Sequence, residues 1–137
     1  MNLQSILFFI FCFTLTIYLI IDTFGLFLLI SGLFIITVMT FHIDNSIKCI
    51  KRQKFKNLFY FSNINLLLFS IFRIDGIHDT SESGLESLIN IFGFTISRNY
   101  YNYELHILIV STILFILQIL IEINLYKKLK KTYNIKI

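Results

Sequence analysis

The sequence predicts an all-α integral membrane protein with about four transmembrane helices in a single domain, residues 1–137, and a short amphipathic helix in one connecting loop. Three observations predict it. Of 137 residues, 56% are hydrophobic and 15% charged, where a soluble domain carries about 25% charge. A body of this size has too little interior to hide that apolar surface from water, so lipid is the expected solvent. The apolar residues also gather into four runs of near-membrane length, and the loops between them alternate in charge.

The runs are residues 5–21, 24–41, 58–74 and 105–126. A run of 17–18 residues reaches about 26 Å at about 1.5 Å per residue, enough for a thin hydrocarbon core. Only Asp22 and Thr23 separate the first two, which could instead form one long tilted helix over 5–41. A hairpin is preferred, because a carboxylate at the bilayer centre costs about 2.5–3.5 kcal/mol on insertion scales. At an interface Asp22 stays solvated, and Gly25 eases the turn. A cleaved signal peptide is not expected, because Met1–Ser5 has no basic residue and no small-residue cleavage site follows.

The choice of apolar residues speaks to origin. There are 27 Ile, 21 Leu and 16 Phe, but no Ala, Pro or Trp. Residues with A/T-rich codons (Phe, Tyr, Met, Ile, Asn, Lys) number 71, against 8 for Gly, Ala, Arg and Pro. An A/T-rich organellar or host-restricted genome accounts for this without any functional demand. Cys12 lies in an apolar run and Cys49 in the basic loop, so both are expected as reduced thiols.

Loop charge sets the orientation. Residues 42–57 carry Lys48, Lys51, Arg52, Lys54 and Lys56 against Asp44, and the tail, 127–137, carries Lys127, Lys128, Lys130, Lys131 and Lys136. Residues 75–104 reverse the balance, with Asp75, Asp79, Glu82, Glu86 and Glu104 against Arg98. By the positive-inside rule the basic loop and the C-terminus face the cytoplasm or mitochondrial matrix, and the acidic loop faces out. Within the acidic loop, Ser83-Gly84-Leu85-Glu86 fits a capping box. Leu85, Leu88, Ile89 and Phe92 then share one face, Gly93 ends the helix, and the expected setting is the membrane surface or a partner. Tyr100, Tyr101 and Tyr103 stand where interfacial phenols are favoured.

Candidate chemistry is sparse. A haem needs facing histidines, but His42 and His106 fall at opposite ends of their spans and His78 in a loop. Interfacial, hydrogen-bonded histidines are the plainer reading. Glu122 is the one acid well inside a span, and Gln118 lies four residues earlier on the same face. An intramembrane carboxylate is a functional candidate by default, so Glu122 and Gln118 are the proton-path candidates. The bland alternative pairs Glu122 with Lys127 or Lys128. Asn124 shares that face approximately, and Asn63 and Asn65 add polarity to the third span, where bonding between helices is the expected role. The run from Lys48 to Lys56 is read as contact with anionic lipid rather than nucleic acid. No phosphate loop, nucleophile elbow or zinc pattern is present, so no catalytic, cofactor or metal residue is assigned.

With the basic segments inside, Lys54-Phe55-Lys56-Asn57-Leu58-Phe59-Tyr60 resembles the start of the second helix in chain 4L of respiratory NADH–ubiquinone oxidoreductase. Ile107-Leu108-Ile109-Val110-Ser111, running on to the Lys-rich tail, resembles that family's third helix. The resemblance covers about residues 24–137 and leaves 5–21 and most of 75–104 as additions. It implies a membrane-arm subunit of complex I in the mitochondrial inner membrane, with its basic loop and C-terminus in the matrix. Such a subunit supports proton translocation coupled to NADH–quinone electron transfer, packs among other membrane subunits, and is not catalytic alone. It binds no cofactor of its own. The family's two buried glutamates would fall near Leu66 and Ile116, both apolar here, with Glu122 almost two turns beyond the second. The alternatives are a membrane subunit of ATP synthase or cytochrome oxidase, and a free-standing bacterial protein of immunity or holin type.

Overall fold

In a computed structural model of the protein, which describes residues 3–23, 26–75, 82–94 and 104–134, the chain is built of helices. They are α1 (Leu3–Asp22), α2 (Leu26–Arg52), α3 (Lys56–Phe72), α4 (Gly84–Ile91) and α5 (Glu104–Asn134). A two-residue antiparallel ladder joins β1 (Ile74–Asp75) to β2 (Glu82–Ser83) between α3 and α4. Three segments, Leu3–Asp22, Ser31–Arg52 and Leu105–Thr132, are long and apolar enough to cross a membrane. The shorter α3 has 17 residues.

Side-chain bonds give the helix directions. Ser5 meets Tyr60 at 3.0 Å at one end of α1 and α3, and Arg73 reaches Thr23 at the other, so these two helices run parallel. Asn65 bonds the carbonyl of Leu114, while Ser62 bonds Glu122, so α3 and α5 run antiparallel. Asn45 bonds Glu122 and Arg52 bonds the Leu129 carbonyl, which sets α2 parallel to α5. Together these make α1 and α2 antiparallel, a hairpin and not one long helix. The basic turn after α2 and the lysines of α5 share one end of the bundle, where Lys128 sits 6.0 Å above the Phe55 ring.

Two boundaries differ from the sequence reading. Residues 42–52, expected as the start of an inner loop, continue α2. Their charge suggested a loop, but His42, Ser46 and Cys49 extend the buried seam of Ile35 at spacings of seven, four and three. Asp44 and Lys48, four apart, pair along the outer face. Gln53 and Phe55 then take left-handed φ of 53° and 58°, which ends α2 and restarts the chain as α3 within three residues. Likewise α5 runs past the expected limit at Tyr126 to Asn134, carrying four lysines on helical backbone.

Packing follows the same spacing throughout. On α5, Ser111, Gln118, Glu122, Leu125 and Leu129 are buried, and on α1 Ser5, Cys12, Thr16 and Leu19. Steps of three, four and seven are the seam of left-handed bundle packing at crossing angles of about 20°. Among the described residues, sixteen polar or charged side chains are buried against twelve hydrophobic ones, while twenty-six large hydrophobics are exposed. A water-soluble bundle has the opposite polarity. Helices that turn their outer faces to lipid have this one.

The loop helix α4 forms as the capping sequence predicts. Ser83 Oγ accepts the Glu86 amide at 3.2 Å, and Gly93 follows the helix at φ +77°. Its orientation differs from expectation. The buried face is Gly84 and Ser87, and Ser87 donates to the Asp22 carboxylate. Leu85, Leu88 and Ile89 are half-buried, and Phe92 is exposed. A Cβ on Gly84 would stand 1.9 Å from the Ser70 carbonyl oxygen. Gly84→Ala is therefore expected to push α4 off α3, costing about 1–3 kcal/mol as overpacking does. Hydrogen exchange should then accelerate at Leu85–Ile91 amides and stay unchanged near Ser62. Gly25, His78, Tyr100, Tyr101 and Tyr103 lie outside the described residues.

Candidate functional site

Where α2, α3 and α5 meet, six polar side chains cluster, five of them around one carboxylate. Glu122 comes from α5 together with Gln118, one turn earlier on the same face. His42 and Asn45 come from the part of α2 expected as loop, and Ser62 and Asn63 from the middle of α3. All six are buried to within 2% of full exclusion. Phe9 and Phe13 of α1 cover the imidazole, their ring centres 5.9 and 6.4 Å from it.

Glu122 Oε1 accepts from His42 Nδ1 at 2.8 Å, Ser62 Oγ at 2.5 Å and Gln118 Nε2 at 2.9 Å. Its Oε2 accepts from Asn45 Nδ2 at 2.7 Å. The orientation of each amide is fixed by a backbone carbonyl. Asn45 Nδ2 also donates to the Glu122 carbonyl at 3.1 Å, which keeps its N–H₂ group on the carboxylate side. Asn65 Nδ2 donates to the Leu114 carbonyl and to Gln118 Oε1, both at 2.9 Å. That leaves the Gln118 N–H₂ group facing Glu122 and Ser62.

The same reasoning assigns the histidine. Asn63 Nδ2 donates to the Phe59 carbonyl at 2.8 Å, which turns Asn63 Oδ1 toward His42 Nε2 at 3.3 Å. Nε2 therefore carries a hydrogen. Nδ1 then lies 2.8 Å from Glu122 Oε1 and 3.0 Å from Ser62 Oγ, so it can donate to the carboxylate, or accept from the hydroxyl or from a protonated carboxyl. With the proton on nitrogen the pair is imidazolium and carboxylate, and four donors stabilise the anion. With the proton on oxygen both groups are neutral. The two atoms are 2.8 Å apart, close enough for direct proton transfer between them.

Both candidates from the sequence, Glu122 and Gln118, are in this cluster. The bland partner of Glu122, Lys127 or Lys128, is replaced by His42, because the lysines lie on the exposed side of α5 while Glu122 faces inward. Asn124, expected near that face, is exposed. His42 is fully buried and not interfacial. His106 is exposed sixteen residues from Glu122 on α5, about 24 Å along the axis, so it cannot share a ligand with His42. Asn65 bonds across helices as expected, whereas Asn63 bonds both its own helix and His42. Among the described residues no group of three His, Cys, Asp or Glu side chains is placed to hold a metal ion. Both cysteines are free and buried.

Asn45 and Ser62 went unnoticed in the sequence. The available signal was the seven-four-three spacing through Ile35, His42, Ser46 and Cys49, which carries α2 beyond Phe41 and draws Asn45 inward. Comparisons with protein-family models, curated proteins and solved structures return no match.

Proposed function

We propose that the chain is a multi-pass membrane subunit of an organellar energy-coupling complex, and most specifically a divergent chain 4L of respiratory complex I. Its own contribution is to hold and pass a proton at the His42–Glu122 pair. The observation that carries this reading is a carboxylate 2.8 Å from an imidazole nitrogen, both excluded from water, at the junction of three helices. Ionisable groups are costly inside a bilayer and are functional candidates by default, proton relays among them. In this reading α3 is the fourth span; its 17 residues reach about 26 Å.

Glu122 here takes the place of the two glutamates that the chain 4L resemblance implies. Leu66 is buried in an apolar cluster with Ile20, Ile35 and Phe69, and Ile116 is 53% exposed on the outer face. The exposed apolar flanks supply surface for neighbouring subunits. Ile91, Phe92 and Phe94 extend that surface beyond α4. The basic end, with Lys51, Arg52, Lys54, Lys127, Lys128 and Lys130, sits in the matrix against anionic headgroups.

Gentle detergent extraction of native membranes, followed by native gel separation and mass spectrometry, tests the assignment. Co-migration with NADH dehydrogenase activity is expected. Migration with ATP synthase or cytochrome oxidase would remove the complex I assignment and keep the subunit reading. Migration alone would remove both.

A further inference from the structure

The two ends of the bundle are closed differently around the His42–Glu122 pair. Toward the basic end, beyond Asn45 and Ser46, Cys49, Ile50, Phe59, Ile121, Leu125 and Leu129 form an apolar plug, each at most 9% exposed, broken only by a hollow of about 10 Å³ beside Cys49, Lys54 and Lys56. Leu129 lies seven residues past Glu122, so the plug is about 10 Å deep along α5. Toward the opposite end polarity continues. Gln118 passes its hydrogen bonds to Asn65, and Asn65 to the Leu114 carbonyl. Within one further turn a cleft of about 160 Å³ opens between α2, α3 and α5, with Ser31, Arg73, Ser111 and Thr112 in its wall. A water needs about 10–15 Å³, so this cleft has room for several, with those four side chains as polar points in a wall otherwise formed by Ile35, Phe69, Ile74, Leu108 and Phe115. Between cleft and cluster stand Phe69 and Phe115, ring centres 5.1 Å apart.

We propose that this cleft is a water-filled vestibule through which the His42–Glu122 pair exchanges protons with one face of the membrane only, the face opposite the lysines. Phe69 and Phe115 form its apolar gate. Water enters as far as Ser111. When the rings part, it reaches the Asn65 and Gln118 amides; a hydronium from that face then gives its proton to Glu122 Oε1 and leaves as water, and in the reverse step water takes the proton back as hydronium. The plug closes the other route, so delivery to the basic side requires a partner subunit or a rearrangement of α5. This rests on the proton-carrying reading proposed above.

The test uses the full chain in proteoliposomes, with a small membrane-impermeant cationic methanethiosulfonate as probe and acylation of Lys130 by an impermeant ester as the marker of sidedness. Ser111→Cys is expected to react from the face opposite Lys130. The native Cys49, inside the plug, should stay unmodified from both faces and serves as the internal control. Asn65→Cys, behind the gate, should react slowly, and about tenfold faster with Phe115→Ala, equivalent to about 1.4 kcal/mol. Reaction of Ser111→Cys from the lysine face, its failure to react, or modification of Cys49 overturns the vestibule. If the labelling pattern is as expected while Glu122→Gln leaves proton pumping by the native complex unchanged, water reaches the cleft but the proton-carrying reading fails.

Discussion

His42→Ala is expected to be the most destabilising single substitution in the chain, at about 3–5 kcal/mol, the cost of leaving one partner of a buried ion pair uncompensated. Glu122→Ala should cost less, about 2–4 kcal/mol. The asymmetry follows from the bonding. Without His42, the carboxylate keeps donors from Ser62, Gln118 and Asn45 but has no counter-charge. Without Glu122, the imidazole keeps its Nε2 bond to Asn63 and its Nδ1 contact with Ser62. The remaining loss is then the orphaned donors of Ser62, Gln118 and Asn45, each worth about 1–3 kcal/mol when buried unpaired and less where they relax onto one another. The double substitution should be less destabilised than the sum of the singles by about 1–3 kcal/mol. Denaturant unfolding in detergent micelles measures the cycle, and strict additivity would break the assigned pairing.

Ordinary polar pairs between membrane helices are worth about 0.6 kcal/mol, so the cycle also separates two roles for the cluster. A coupling near that value is what packing alone requires. A coupling several times larger identifies a charge pair held in a dry site. Glu122→Gln sharpens the distinction, because it keeps size and removes the exchangeable proton. It is expected to abolish proton transfer while costing about 1–2 kcal/mol, since the amide nitrogen meets a donor whichever way it turns.

The helices and their alternating directions were legible because apolar runs and loop charge are strong, additive signals. Glu122 and Gln118 stood out for the same reason, as polar residues four apart in an apolar stretch. What the sequence hid was the partner. The lysines and Arg52 after His42 suggested a loop, yet a helix tolerates such charge when it falls on the outward face, and the inward positions His42, Asn45, Ser46 and Cys49 kept the helical spacing. Once α2 is extended by three turns, His42 moves from an interface to the level of Glu122. The burial of Gly84 and Ser87 was hidden for a different reason. A short helix can bury a polar face when a partner such as Asp22 receives its hydroxyl, and residues 65 apart in sequence give no local sign of that contact.

Arg73 went unremarked in the sequence, at the edge of the span expected over 58–74, and Arg73→Ala carries the second large expected effect. The guanidinium is 1% exposed. Its Nη2 donates to the carbonyls of Ile20 and Thr23, both at 3.0 Å, and to the Thr23 hydroxyl. Those carbonyls are the unsatisfied acceptors at the C-terminus of α1, the negative end of its dipole, so charge and hydrogen bonding act together. The carbonyl of Arg73 in turn accepts the Gly84 amide at 3.0 Å. One residue thus joins the ends of α1 and α3 to the start of α4. Bonds from a charged donor are worth about 1.5–3 kcal/mol each, and water at the bundle end recovers part of the loss, so Arg73→Ala is expected to cost about 2–4 kcal/mol. Arg73→Lys keeps the charge and several donors on one nitrogen, but its shorter, more strongly hydrated head group should recover only about half of that. Hydrogen exchange checks the location. Amides of Thr23 and of α4 should exchange faster in Arg73→Ala, while those around Ser62 and Glu122 keep their protection. Uniform loss of protection would mean that Arg73 supports the whole bundle, and unchanged exchange at Thr23 would mean that the guanidinium does not hold the end of α1.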